Sequence, residues 1–592
     1  MRPESNALHR VISTLALLPP FLLGLLIVRY GVDVIDWDQW EIAALFEKAA
    51  HHSLSARDLF AQQAEHRHFF PNMVYLGLGW LTHWNIKAEM FFSLFLACLI
   101  AFNIHRLGRL TVGGRRPRQL LLTLITNLLV FAPAQFENWL LGEQIQYFMP
   151  IACVTTALRV AASALNPQAK LIVCGLLATI STFSSGNGIV CWIVLTPVLF
   201  SRQGRYWRTI TWLVAFIANT TAYLYHYHKP SYTPGLWEAL HHPLDGLVFF
   251  CALLGAPLMA TRRLIFVPAA IGAGLAALFL AICVYVWRIA RDPELTRRCA
   301  SWSMLGAFSL ITATVVAIAR VGYGVDQSVI SRYETFTVYL LVSVCFLAPI
   351  VADDLQKHRR LARLASMFPR LLPPALSLLI LLHAVNSVAA VRQMAEMKTR
   401  RLQAKACLLF VNAVPDECLN KGFPDLPVLT ARINAVDELG YMRPRLIESN
   451  RVESIAAPAV VDAALYGRFE HLGETSDGSV VADGWASLPE RGEPADGVLL
   501  TYETDGSAPI IFALAEMTPK PPSFFAPFIK ADPVSWRWHK SIAVDNASAV
   551  APARIHAWAF DSTTGKAYRL SGTFLVEKEG GGTRFKEIRS PR

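Results

Sequence analysis

Charge is scarce in this chain. Only 17% of its 592 residues are Asp, Glu, Lys or Arg, against about 25% in soluble domains, which argues against an ordinary cytosolic enzyme. The ten cysteines form no CxxC pair, so a metal cluster is not indicated. Neither a P-loop nor a nucleotide-sugar-binding pattern appears. No internal repeat stands out, which weakens the case for a transporter built from paired half-bundles with helices interrupted at mid-membrane.

What is abundant is apolar sequence, 54% of the chain. Runs of membrane-spanning length recur from residue 11 to residue 388, and the sequence beyond about residue 391 has a soluble protein's mixture of charge, Gly and Pro. The net charge of +11 divides at the same place. Residues 1–390 hold 31 Lys and Arg against 19 Asp and Glu, and residues 391–592 hold 24 against 25. The excess gathers in short loops, as at Arg106, Arg109, Arg115, Arg116 and Arg118, or Arg202, Arg205 and Arg208. Retention of positive loops in the cytoplasm explains this, and no nucleic-acid partner is required.

Eleven spans are expected, near residues 11–30, 87–105, 119–135, 147–164, 170–184, 188–201, 209–225, 264–287, 300–320, 335–351 and 371–390. With a cytoplasmic N-terminus, the basic clusters after residues 105, 201, 287 and 351 (the last being Lys357, Arg359, Arg360 and Arg363) fall inside and the last 200 residues outside. Two apolar stretches, 69–81 and 246–260, are too short to span and would reverse that parity, so they are expected as helices on or dipping into the outer face. Pro19-Pro20 interrupts the first segment and no clear small-residue cleavage site follows, which favours a first span over a cleaved signal.

The exported part divides into a helical connector (391–454), a β-sandwich (455–577) and a disordered tail (578–592) carrying Gly580-Gly581-Gly582. Short alternating runs at 498–502, 509–514, 553–560 and 568–575, with turn dipeptides Asp477-Gly478, Asp483-Gly484 and Asp505-Gly506, support the sandwich. Outside the cytoplasm, Cys407 and Cys418 are expected to close a disulfide across a short loop; two unrelated thiols are the alternative.

Four clusters carry chemistry, and each has a bland reading beside it. The first outer loop opens Asp33-Val-Ile-Asp36-Trp37-Asp38-Gln-Trp40-Glu41. In a helix Asp38 and Glu41 share one face and Trp37 and Trp40 the adjoining one, so carboxylates can face a cavity while indoles sit in the interface. The alternative is a solvated acidic loop. The same loop ends Glu65-His66-Arg67-His68-Phe-Phe-Pro71. Arg presents a rigid fork to phosphate, which a carboxylate can hold in place, or the cluster is a polar cap.

The loop Phe136-Glu137-Asn138-Trp139-Leu-Leu-Gly142-Glu143-Gln144-Ile-Gln-Tyr147 and the turn Ser184-Ser-Gly-Asn187-Gly188 offer amides and carboxylates beside aromatic rings. Such groups bind sugars, or cap helices and make a tight turn. Arg320-Val-Gly-Tyr-Gly324 and Ser331-Arg332-Tyr333-Glu334 place charge near hydrocarbon. That is costly unless the charge is paired, as Arg332 with Glu334, or turned toward an anionic ligand.

By parity all four clusters lie on one side of the membrane. The Asp36-x-Asp38-x-x-Glu41 run, the Glu65-His66-Arg67 element, the Glu137-Asn138-Trp139-x-x-Gly142-x-Gln144 loop and Ser331-Arg332-Tyr333 resemble bacterial members of the GT-C superfamily. That superfamily includes protein O-mannosyltransferases and lipid A aminoarabinose transferases. The likeness covers roughly residues 10–390 and is architectural. It departs where the first loop closes His68-Phe69-Phe70-Pro71 in place of His-Pro-Pro, and in showing no exported helical-repeat domain.

The resemblance implies a polytopic helical membrane enzyme of the bacterial inner membrane, with its C-terminal domain in the periplasm. It would take a polyprenyl-phosphate sugar donor and a glycan or glycolipid acceptor at the outer side. Asp38 or Asp36 would be the catalytic base or bind a divalent cation. Arg67, Arg332 and His66 would bind the donor phosphate, and Glu65, Glu137, Asn138, Gln144, Asn187 and Tyr333 the sugar or acceptor. Membrane lipids are the remaining partner. A transporter, or an envelope-assembly protein using Trp485, Trp536, Trp538 and Trp558 as a sugar platform on the β-sandwich, is the alternative.

Overall fold

Hydrocarbon leaves an apolar chain few ways to satisfy its backbone, and the helix is the simplest. The computed structural model describes residues 3–112, 116–200, 206–235, 237–290, 292–357, 362–414, 418–419, 425–458, 462–475, 479–504, 507–518, 533–542, 552–579 and 582–588. The expected turns at Asp477-Gly478 and Asp505-Gly506, Gly580 and Gly581 of the glycine run, and Arg115, Arg202, Arg205, Arg359 and Arg360 of the basic loops lie outside them.

The helices run α1 Pro3–Tyr30, α2 Gln39–Ala50, α3 Ala56–Phe60, α4 Phe69–Thr82, α5 Ile86–Thr111 and α6 Arg116–Val130. Then come α7 Phe136–Leu140, α8 Ile145–Ala162, α9 Pro167–Thr182, α10 Val190–Leu199, α11 Tyr206–Leu224 and α12 Glu238–His241. The last are α13 Pro243–Gly255, α14 Phe266–Val284, α15 Pro293–Arg320, α16 Ser331–Leu355, α17 Ala362–Leu409 and α18 Leu426–Glu438. A two-residue ribbon, β1 Gln62–Gln63 with β2 His66–Arg67, precedes α4.

Each of the eleven expected spans is a helix. Among the described residues seven stretches are long and apolar enough to cross a membrane: Ile86–Thr111, Pro117–Leu140, Gly142–Ala162, Phe266–Ala290, Pro293–Tyr323, Ser331–Leu355 and Arg370–Leu409. α9 and α10 are shorter, at 16 and 10 residues. α1 continues through Pro19-Pro20 as one helix of 28 residues.

The segment 246–260 forms a helix too short to span, as expected, and one that is set in among its neighbours. Its helix α13 buries Phe249, Ala252, Leu253 and Leu254 and packs along α14, α15 and α16. Small residues permit this: a Cβ on Gly272 would fall 2.7 Å from the Gly255 nitrogen and inside the contact distance of the Cys251 carbonyl. Backbones brought this close by glycine make a helix pair without large side chains between them.

The chain forms two compact units, Met1–Gly31 with Leu54–Val391, and Val32–Ser53 with Arg392–Arg592. The first-loop carboxylates at 33–41 thus belong to the unit of the C-terminal domain, which the sequence did not indicate. Within that unit Arg432 forks Glu41 at 3.0 and 3.1 Å, and Phe46 meets Tyr441 edge-on with ring centroids 5.3 Å apart, so α2 is seated on α18.

The β domain is β3 Gly467–Glu474, β4 Val480–Leu488, β5 Glu493–Pro494, β6 Gly497–Glu503, β7 Ile510–Met517, β8 Arg537–Ile542, β9 Ala553–Asp561, β10 Lys566–Arg569, β11 Phe574–Glu579 and β12 Gly582–Glu587. The strand order β12-β11-β9-β6-β7-β8-β4-β3 is continuous, with β10 on β9 and β5 on β4. β7 joins the two halves through Glu516↔His539 and Met517↔Trp538. The sheet curls until Arg468 bridges Ser571, enclosing Phe469, Trp538, Val480, Val498, Ile555 and Phe574.

Three local expectations change. Asp483-Gly484 is inside β4 and makes no turn; Gly484 lets the β3 backbone and the Trp538 ring, 3.1 Å from where its Cβ would be, come close. The run 568–575 is broken into β10 and β11 by Gly572, held at φ +94, a left-handed conformation suited to glycine. Residues 582–587, expected in a disordered tail, pair with β11 from Phe574↔Glu587 to Glu579↔Gly582; the alternation of Thr583, Phe585 and Glu587 with Arg584 and Lys586 is that of a strand.

Candidate functional site

Charged groups in the helical unit sort to two ends. At one, Arg118 at the start of α6 donates through Nη1 to both oxygens of Asp353 near the end of α16, at 3.1 and 2.9 Å, and Arg298 early in α15 donates to the Thr111 carbonyl at 2.7 Å. The other ends of α15 and α16 carry Arg320 and Arg332. A small cleft lined by His105, Arg109 and Phe346 belongs to the first end. Phe346 lies fourteen residues beyond Arg332 along α16, about 21 Å at 1.5 Å per residue.

At the second end the β1–β2 ribbon turns through Ala64, φ 49, and presents Glu65. Arg320 forks it, Nη1 donating to Oε1 at 2.9 Å and Nη2 to Oε2. The Glu65 carboxylate therefore holds the guanidinium of Arg320, not that of its neighbour Arg67. Arg67 is 5% exposed and donates to three backbone carbonyls, Nε to Tyr223 at 2.8 Å, Nη1 to Phe60 at 2.8 Å and Nη2 to Tyr225. Its fork, expected on a phosphate, fastens the first loop to the end of α11.

His66 Nδ1 accepts the Gly186 N–H at 3.2 Å, which places the ring proton on Nε2. Burial, and then the Arg320 charge, push its pKa down to about 4. His68, its ring centroid 5.4 Å away, is held below its ordinary value by burial and then by His66, against a hydrogen bond with Gln146 that raises it. Both rings are neutral at neutral pH. Gly186 leaves room here: a Cβ would stand 3.0 Å from His66 Nδ1 and 3.1 Å from the Tyr223 hydroxyl.

Glu137 holds the start of α16. Its Oε2 accepts the Ser331 hydroxyl at 2.7 Å and the Arg332 N–H at 3.2 Å, satisfying donors that a helix N-terminus leaves open. Its other oxygen lies 3.7 Å from Arg332 Nη2, so Glu137, not Glu334, is the partner of Arg332. Asn138 donates to the Arg332 carbonyl at 2.8 Å and to Thr335 Oγ1 at 2.5 Å. Gln144 donates to Glu143 at 3.0 Å, and Tyr75 donates to the Glu143 carbonyl at 2.5 Å. These amides, expected at a sugar, are tied at one end into helix contacts.

Arg332 differs from the other arginines. Its side chain is 40% exposed and its Nε has no hydrogen-bond partner among the described residues. Tyr147 lies in the field of both Arg332 and Arg320, and Arg320 in that of Tyr333, which joins the two arginines into one cluster. Arg320 carried a sequence signal, a cation at hydrocarbon depth, yet was not among the expected site residues.

In the other unit, Asp36 Oδ2 is 3.5 Å from Arg401 Nε, and Arg401, 4% exposed, also donates to the Val34 carbonyl at 2.8 Å. Asp38 is exposed at the N-terminus of α2. Because α2 starts only at Gln39, Trp37 and Trp40 do not share a face: Trp37 is exposed with φ 43, and Trp40 is buried. Among the described residues no group of three or more His, Cys, Asp or Glu comes together to hold a metal ion.

In the same unit Cys407 and Cys418 form a disulfide, Cα–Cα 6.2 Å. Trp538 is 1% exposed in the core and Trp536 packs against it. Trp558 donates to Thr501 at 3.0 Å with Arg569 over its ring. With Trp538 enclosed, the four indoles do not form one exposed platform.

The spans and the curled sheet define a polytopic helical membrane protein with a C-terminal β domain. No known protein family and no curated protein matches the sequence. Among solved structures, that of ArnT from Cupriavidus metallidurans bound to undecaprenyl phosphate is similar, with a TM-score of 0.39 and 10% identity over 72% of this chain and 87% of that one.

Proposed function

We propose that this chain is a GT-C-type glycosyltransferase of a bacterial inner membrane. It moves a sugar from a polyprenyl-phosphate donor to a hydroxyl of a cell-envelope glycan or glycolipid on the periplasmic side. The observation that carries this reading is Arg332. It stands at the first turn of a span, paired only loosely and with donors to spare, where a polyprenyl phosphate must leave its headgroup while its tail stays in lipid. Arg67 and Arg320 have their forks committed to carbonyls and to Glu65, so the phosphate role falls to Arg332.

In the reaction the acceptor oxygen forms a bond to the anomeric carbon as the bond from that carbon to the phosphate oxygen breaks. The bonding electrons leave with the phosphate, where Arg332 stabilises them. The acceptor proton passes to a carboxylate, a contribution of roughly 10² to 10⁴ in rate. Asp38 or Asp36 of the first loop is the carboxylate proposed for this role. The donor set around Asp36 does not suit a divalent cation, since its neighbour is a guanidinium.

The test is release of polyprenyl phosphate by purified protein in lipid nanodiscs, given a polyprenyl-phosphate hexose and candidate acceptors. Asp38→Asn should slow release about a hundredfold or more with the fold intact. Full activity in both Asp38→Asn and Asp36→Asn would remove the first loop from the chemistry, and failure to bind any polyprenyl phosphate would end the reading. An assembly protein using the β domain to bind glycan predicts glycan binding with no release.

A further inference from the structure

Asn187 is the least satisfied amide at the second end of the helical unit. It is 8% exposed, and neither its Nδ2 nor its Oδ1 has a hydrogen-bond partner among the described residues. Leaving a buried polar group unpaired costs on the order of 1–3 kcal/mol, so a carboxamide kept bare at both atoms is expected to meet a ligand. Its place narrows the ligand. Asn187 follows Gly186, whose N–H fixes the His66 tautomer and leaves Nε2–H as a second neutral donor. The Tyr223 hydroxyl, 3.1 Å from where a Gly186 Cβ would stand, bounds the same spot and donates to the Glu65 carbonyl at 3.3 Å.

The charges nearby are already matched. Both terminal nitrogens of Arg320 face the two oxygens of Glu65, and burial keeps His66 and His68 uncharged near neutral pH. A sugar ammonium would meet the Arg320 charge, and the Glu65 carboxylate beside His66 is already taken by that arginine. A sugar carboxylate would find Arg320 already taken by Glu65, and Arg332 is assigned to the donor phosphate. A carboxamide offers an acceptor oxygen and N–H donors in one plane, which complements two neighbouring hydroxyls, one giving and one receiving.

Resting on the glycosyltransferase reading, we infer that Asn187, with His66 beside it, forms the subsite for the transferred sugar, and that this sugar is a neutral, hydroxyl-bearing hexose and not an amino sugar or a uronate. Asn187 fixes which sugar is accepted, and Arg332 binds the phosphate whatever sugar it carries.

The experiment measures affinity of the full chain in nanodiscs for three lipids: polyprenyl phosphate, a polyprenyl-phosphate hexose and its amino-sugar counterpart. The wild type should bind the hexose lipid at least tenfold more tightly than bare polyprenyl phosphate, and the amino-sugar lipid no better than the bare one. Asn187→Ala should lose that tenfold gain and keep the affinity for polyprenyl phosphate. Asn187→Asp, which supplies a carboxylate in the same shape, should turn preference toward the amino-sugar lipid and serves should the Ala variant not fold.

Unchanged hexose preference in Asn187→Ala, as when only water meets the amide, overturns the subsite. Wild-type preference for the amino sugar or a uronate overturns the neutral-sugar assignment. If the wild type binds bare polyprenyl phosphate and no glycosylated form, the subsite fails alone; if it binds none of the lipids, the glycosyltransferase reading fails with it.

Discussion

Arg67 and Arg332 look alike in sequence, each a cation where a loop meets a span, and the structure separates them in a way that one experiment can read. Arg67→Ala removes three donors from three backbone carbonyls in a site 5% exposed. Charge-assisted hydrogen bonds contribute about 1.5–3 kcal/mol each and do not add fully, so the variant should lose about 3–5 kcal/mol of stability. Lys at this position, a point charge without a fork, should rescue little. Arg332→Ala breaks a 3.7 Å pair that is 40% exposed, worth about 0–1 kcal/mol, and leaves Glu137 still holding Ser331 and the helix start. Its donor affinity should fall ten- to a hundredfold, the equivalent of about 1.5–3 kcal/mol. Thermal unfolding and polyprenyl-phosphate binding, measured on the same preparations, should give a crossed result: Arg67→Ala melts early, and what survives binds normally, while Arg332→Ala melts near wild type and binds weakly. An Arg332→Ala protein that binds the lipid like wild type refutes the phosphate assignment.

Glu65→Gln leaves the Arg320 guanidinium largely buried without its partner and should cost about 3–5 kcal/mol; adding Arg320→Gln should restore part of it, and a double variant as unstable as the sum of the singles would show the pair to be uncoupled. The depressed His66 pKa has a definite sign: between its ordinary 6.5 and about 4 the unfolded chain binds a proton that the folded one does not. Stability should therefore be flat above pH 6.5 and fall by about 3 kcal/mol toward pH 4 on this account, and His66→Asn should shrink that acid limb; parallel pH curves for the two proteins would contradict it. Gly272→Leu should prevent α13 from seating on α14, since even a Cβ meets the Gly255 and Cys251 backbones, whereas Gly274→Ala, with open space around its Cβ, should fold as wild type.

The helical part was legible because it rests on one-dimensional signals. Low charge density and run length place all eleven helices, since hydrocarbon admits little other structure. Glu65, Glu137, Asn187 and Arg332, distant in sequence, come together at one end of the helical unit, as helices that alternate direction allow. The shortness of α13 was legible too, but not what seats it: the close approach allowed by Gly255 and Gly272, a pairing between segments that run length does not encode. In the β domain the same limit shows at Gly484 and Gly572. One glycine admits a neighbouring ring within a strand and the other breaks a strand, and only the three-dimensional contact tells which.

At the site, the sequence identified groups and missed their partners. A cation at hydrocarbon depth must be matched, so Arg67, Arg320 and Arg332 were all marked as consequential, but what matches each is set by geometry that no spacing rule supplies. Arg67 is answered by three carbonyls at the ends of α3 and α11, Arg320 by a carboxylate 255 positions away, and Arg332 only partly, by Glu137. The nearest acid in sequence, Glu334, is not the partner because two residues apart on a helix point to different sides. The first-loop aspartates show the same limit, since Asp36 lies 3.5 Å from Arg401, a residue far along the chain. A buried or bordering charge already matched by the protein holds structure; one matched only in part, as Arg332 is, retains the capacity to bind a ligand of opposite sign. That distinction, more than residue type, selects the residues on which the donor should depend.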